Sequence, residues 1–130
     1  MISFRNDYSE GAHPKVLEAL SRSNFDTTCG YSMDKYCARA ADTVRKLTAC
    51  PDADVHFLTG GTLANTIVIS RALRPWEGVI AAETGHINVH ETGAIESAGH
   101  KVCAIPAPDG KLTPQLVREV MRVHCNGTDE

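Results

Sequence analysis

From residue 51 onward the chain alternates short apolar runs with helical patterns, and this alternation constrains its fold more than any other feature. Val55-His56-Phe57-Leu58, Gly78-Val79-Ile80-Ala81-Ala82 and Lys101-Val102-Cys103-Ala104-Ile105 read as strands bounded by turn residues. Ala64 to Leu73, Asn88 to Ala98 and Thr113 to about Val123 read as helices, the last with Leu116, Val117 and Val120 on its apolar face. Strands and helices in this order predict parallel pairing through right-handed crossovers. Strands apolar on both faces fit a sheet covered by helices on both sides. The expected architecture is α/β, a partial parallel sheet with helices on both faces. Three parallel strands make an unusually small sheet, so the segment reads as part of a larger one.

The pattern upstream differs. A polar, extended arm occupies the first dozen residues, and a helix is expected from His13-Pro14, with Val16, Leu17 and Leu20 on one face. Asn24 to Ser32 is turn-rich and contains Gly30. A second helix is expected from Asp34 to Thr48, with Tyr36, Ala40, Val44 and Leu47 at helical spacing and Pro51 just beyond its end. The expected division is an arm with helices over residues 1–50 and a partial α/β domain over residues 51–130.

Bulk properties narrow the function. The 130 residues suffice for one domain with a core, are short for a two-domain enzyme, and carry a net charge of −3. Basic residues are scattered, with no run interleaved with aromatics, which argues against a nucleic-acid surface. No apolar stretch reaches membrane-spanning length, and Met1 to Asp7 has no signal-peptide core, so a cytoplasmic location is expected. The odd number of cysteines, Cys29, Cys37, Cys50, Cys103 and Cys125, forms no C-x-x-C pair and predicts free thiols.

Two segments carry chemistry. Phe57 to Asn65 reads as a strand, a Gly60-Gly61-Thr62 turn and a helix entrance. Unpaired first-turn N–H groups and the positive end of a helix dipole favour an anion there. An ordinary strand-to-helix connection with a threonine cap gives the same pattern. Neither G-x-x-x-x-G-K-[ST] nor G-x-G-x-x-G is present, so an anion site is supported while ATP or NAD is not. The second segment, Glu83-Thr84-Gly85-His86-Ile87-Asn88-Val89-His90-Glu91, follows the next strand, where ligands of open α/β sheets collect. His86 is placed to stack on a planar ligand or move a proton, or else to cap a helix. The i,i+4 pair His86 and His90, with Glu91 beside it, is not a zincin motif and lacks a third ligand, so no metal is expected. His90 and Glu91 belong to the helix expected after His86.

Three blocks resemble the pyridoxal-phosphate-dependent β-eliminating lyase and threonine aldolase family, of the aspartate-aminotransferase-like fold type. They are Phe4-Arg5-Asn6-Asp7, Leu58-Thr59-Gly60-Gly61-Thr62-Leu63-Ala64-Asn65, and Glu83 to Ala94 followed by Gly99-His100-Lys101-Val102. The resemblance implies a cradle for the phosphate of pyridoxal 5'-phosphate at Gly60, Gly61 and Thr62. It implies that His86 stacks on the cofactor ring and assists proton transfer as the catalytic residue. Asn6, where the family often has serine, is assigned to the substrate carboxylate and Tyr31 to a neighbouring subunit's site, while Arg5 reads as an exposed arm residue or, alternatively, as one that steers an anionic substrate. The implied reaction splits a β-hydroxy amino acid, threonine giving glycine and acetaldehyde.

The family's cofactor-anchoring lysine and pyridine-pairing aspartate lie further downstream and have no counterpart here. Lys101 and Lys111 sit at a strand edge and a turn. The resemblance therefore implies the N-terminal portion of such an enzyme, inactive alone and holding cofactor non-covalently at best. An amino-acid substrate, and either a homo-oligomer or a missing C-terminal half, are the implied partners. Two other readings remain: a non-enzymatic remnant or split-protein subunit working by association, and a small flavodoxin-like anion-binding domain.

Overall fold

The computed structural model describes Asn6 and residues 8–125, which form two compact units, Met1–Phe57 and Leu58–Glu130. Phe4, Arg5 and Asp7 of the arm block lie outside the described residues, and so does the tail from residue 126.

In the first unit, α1 spans Pro14–Ser23 and α2 spans Lys35–Thr48. Both start where the sequence places them. Pro14 opens α1, with His13 Nδ1 accepting from the Lys15 N–H at 3.2 Å. Asp34 caps α2, its carboxylate accepting from the N–H groups of Tyr36 and Cys37 at 2.8 and 2.9 Å. α2 ends at Ala49, which takes a left-handed φ of 53° and lets Cys50 N–H reach back to the Arg45 carbonyl. The loop before α2 is pinned by Asp26, which accepts from Lys35 Nζ at 2.7 Å and from the Tyr36 hydroxyl. Little of this unit is buried: Ala41 is, whereas Leu17 and Leu20 of α1 remain 53% and 59% exposed.

The second unit holds the sheet. β1 (Val79–Ala82) and β2 (Val102–Ile105) pair in parallel, in register from Val79 with Val102 to Ala82 with Ile105. Around them lie α3 (Gly60–Ala72), α4 (His86–Val89), α5 (Ala94–Ser97) and α6 (Pro114–Cys125), with a short 3₁₀ turn at Pro108–Gly110. Ala81, Ala82, Ile95 and Ala107 are buried, Ile95 completely. The α/β character expected from the alternation is present, with a parallel sheet smaller than expected.

Three expectations are corrected. Residues 55–58 form no strand, because β1 and β2 are the only described segments that pair. An apolar run becomes a strand only beside a neighbour that satisfies its backbone. α3 begins at Gly60 instead of Ala64, since Gly60, at φ +78°, turns the chain directly into the helix. The helix expected over Asn88 to Ala98 is broken into α4 and α5 by Thr92 and Gly93, at φ 53° and 75°.

α3 is also apolar all round. Leu63 and Ile67 share one face, Val68 and Ile69 point in other directions around the axis, and Val68 is 63% exposed. Helices of this kind ordinarily lie within a larger core.

Candidate functional site

The cradle segment sits at the N-terminus of α3. Thr62 lies inside the first turn of α3 and is not its cap; the N-cap residue is Thr59, which makes no side-chain capping bond. The first-turn N–H groups of Gly60, Gly61 and Thr62 therefore face outward at the positive end of the helix. A Cβ built at Gly61 meets nothing within 4 Å, so the backbone there is open to close approach. This donor set fits a phosphate oxyanion, and Thr62, exposed in the first turn, adds a hydroxyl of the right kind.

His86 opens α4 immediately after the carboxyl end of β1. Ala82 is tied back by Gly85 N–H to its carbonyl at 2.7 Å, and Glu83 N–H bonds Ile105 of β2 at 2.8 Å. Asn88 Nδ2 donates to the Glu83 carbonyl at 2.8 Å, clasping the turn. Gly85 is needed for close approach, since a Cβ there would lie 2.9 Å from the Ala82 carbonyl oxygen. The N-cap of α4 is Gly85, without a side-chain bond, so His86 does not act as a cap.

Instead the His86 ring is held by a residue that sequence reasoning assigned to a continuing helix. His86 Nδ1 lies 2.8 Å from Glu91 Oε1, and Asn65 Nδ2 donates to that same oxygen at 2.6 Å. The Glu91 side chain is completely buried while His86 is 61% exposed. Burial by itself pushes the Glu91 carboxyl up, but the hydrogen bonds from Asn65 and His86 and the attraction of the imidazole charge outweigh it. The carboxyl is held below its ordinary value. Glu91 Oε2 is buried and has no partner among the described residues.

On a continuous helix, positions five apart are rotated by about 140° and face away from each other. α4 ends at Val89, and His90, at φ −122° and ψ 0°, leaves the helical path, so Glu91 is not carried round to the far side from His86.

Asn65, His86 and Glu91 thus form one network, and Asn65 stands on the helix whose N-terminus carries Gly60, Gly61 and Thr62. His90 lies beside His86, with ring centroids 5.4 Å apart and tilted by 51°. Among the described residues no group of three His, Cys, Asp or Glu side chains is arranged to hold a metal. Asn6 and Tyr31 belong to the first unit. Asn6 Oδ1 accepts from Tyr8 N–H and from Ser9 Oγ, at 3.2 and 2.6 Å, closing a local turn. Tyr31 is fully exposed at φ 60°. Among the described residues no helix is long and apolar enough to cross a membrane.

Comparison with known proteins gives consistent matches. The chain is 37% identical over 119 residues to the low specificity L-threonine aldolase of Pseudomonas sp. (strain NCIMB 10558). It is 33% identical over 119 residues to the enzyme of that name from Pseudomonas aeruginosa. Each alignment covers 90% of this chain and 34% of the relative. A solved structure of Leishmania major threonine aldolase superimposes with a TM-score of 0.88 at 51% identity, over 95% of this chain and 36% of that one. The chain spans about a third of the length of these relatives. The profile of the β-eliminating lyase family matches residues 4–128, and the chain belongs to that family.

Proposed function

We propose that this chain supplies the phosphate cradle and the ring-stacking histidine of a pyridoxal-phosphate-dependent lyase that cleaves β-hydroxy amino acids, threonine to glycine and acetaldehyde. The observation that carries this reading is the open N-terminus of α3, joined through Asn65 and Glu91 to an exposed imidazole at the end of β1. Pyridoxal phosphate, when bound, withdraws the electrons left at Cα after bond cleavage. The first-turn amides and the Thr62 hydroxyl hold its phosphate, and His86 lies against its ring and accepts the proton of the substrate hydroxyl. Asn6 holds the substrate carboxylate, and Tyr31 serves a neighbouring subunit's site. The threonine aldolases among the relatives support the substrate class. Exposed thiols at Cys29 and Cys50 suit the reducing cytoplasm.

No lysine is placed at this site by the described contacts, so the isolated chain is expected to bind pyridoxal phosphate weakly and without a covalent bond. Titration followed by absorbance and by phosphorus NMR tests this, with pyridoxal lacking the phosphate as the control. Gly61→Val is expected to abolish binding by filling the open space beside the backbone. Unchanged binding by that variant, or threonine cleavage by the isolated chain, would count against the reading.

A second reading is favoured by the exposed apolar sides of α3: the chain works only in association with another chain that covers them. Light scattering showing a stable, well-folded monomer would oppose it.

A further inference from the structure

We propose that Glu91 is the positioning residue for His86: it fixes the imidazole in the Nδ1–H tautomer and leaves Nε2 bare as the proton acceptor. Through Asn65 it also ties the ring to the helix that forms the phosphate cradle. This inference rests on the functional reading only for the ligand on which the imidazole acts.

Three observations carry it. Glu91 Oε1 receives two contacts, from Asn65 Nδ2 at 2.6 Å and His86 Nδ1 at 2.8 Å. An ionised carboxylate has no proton to give, so the imidazole nitrogen facing it must be the donor. The carboxylate is buried and the ring it holds is exposed, so a fixed charge stands behind a group open to ligand. The second carboxylate oxygen has no partner among the described residues. A strut kept for stability alone would satisfy both oxygens or give way to an apolar side chain of similar size. Outer partners of this kind are how proteins select which imidazole nitrogen is free.

The end of α4 at Val89, with His90 at φ −122° and ψ 0°, leaves Glu91 outside the helix and free to meet the His86 ring. Free imidazole favours the opposite tautomer, so the bond to Glu91 has an observable consequence.

Nitrogen NMR of the labelled 130-residue chain, above the pH at which histidines titrate, reads the tautomer directly. Wild-type His86 is expected to show a protonated Nδ1 and a bare Nε2. His100, buried with Nδ1 3.2 Å from the Glu77 carbonyl oxygen, reports independently that the unit is folded. Glu91→Met removes the acceptor while keeping the volume, and is expected to exchange the major and minor tautomers of His86 without altering His100. Glu91→Gln retains an accepting oxygen and is expected to restore the wild-type tautomer. A wild-type His86 protonated on Nε2, or an unchanged tautomer in a folded Glu91→Met chain, would overturn the proposal. If Glu91→Met disturbs His100, the wild-type spectrum decides, since a proton on Nε2 there is by itself incompatible with the bond to Glu91. Loss of pyridoxal phosphate binding in a chain whose His86 keeps its tautomer would instead count against the functional reading and leave this one standing.

Discussion

The two units are held by different kinds of contact. In residues 1–57 the described side-chain bonds are local: the Asp34 cap, the Arg22–Glu18 pair, and Asp26 with Lys35 and Tyr36, no more than ten residues apart. In residues 58–130 the decisive bonds join distant positions: Asn65 to Glu91 across 26 residues, and His100 to the Glu77 carbonyl across 23. Local bonds build helices that any short segment can specify. Distant bonds build a site, because they bring together groups that no single element could hold.

A pair of apolar-to-alanine substitutions, one in each unit, probes that contrast with the largest effect. Ile95→Ala is expected to cost about 2–5 kcal/mol, since the side chain is completely buried in a unit with few other buried apolar groups. Leu20→Ala, on the exposed face of α1, is expected to change stability by less than about 0.5 kcal/mol. Denaturant unfolding followed by hydrogen exchange assigns each loss to its unit, and equal costs would erase the distinction.

Gly85→Ala comes next. Its Cβ would press within 2.9 Å of the Ala82 carbonyl oxygen, a backbone atom unable to swing away. A cost of about 1–3 kcal/mol is expected, together with displacement of His86. Chemical-shift changes at Asn65 and Glu91 measure that displacement. Their absence would show that the turn does not aim the ring.

The smallest effect is electrostatic and separates the units by its response to salt. Glu91 is held below its ordinary value of 4.5, so its contribution to stability is present above that pH and is lost as pH falls through the lowered folded value. Asp26 is held below 3.8 chiefly by the hydrogen bond from Lys35, then by that from Tyr36, and follows the same sign at lower pH. The Asp26–Lys35 pair is substantially exposed, so added salt is expected to weaken its part of the acid transition. The Glu91 part, buried, is expected to change little, and acid titrations at low and high salt compare the two.

What the sequence made legible follows the same division. Asp34, His13-Pro14 and the apolar spacing of α2 announced their helices because a cap and a face are properties of neighbouring residues. The glycine turn that opens α3 and the histidine that opens α4 were legible as candidate positions because both residue types stand out at a helix entrance. Residues 55–58 misled because pairing depends on a partner elsewhere. Glu91 was hidden for a related reason: spacing alone put it on the far side of a helix, and no glycine or proline beside Val89 marks the end of α4 there.

The all-round apolar character of α3 has a thermodynamic consequence for the cradle at its end. A surface that covered the sides of this helix and an anion held at its N-terminus would each favour the helical conformation. Where each raises the population of that conformation, reciprocity requires that each tighten the other by the same factor. Assembly and cofactor affinity would then be read as one coupled equilibrium, with the helix as the shared coordinate.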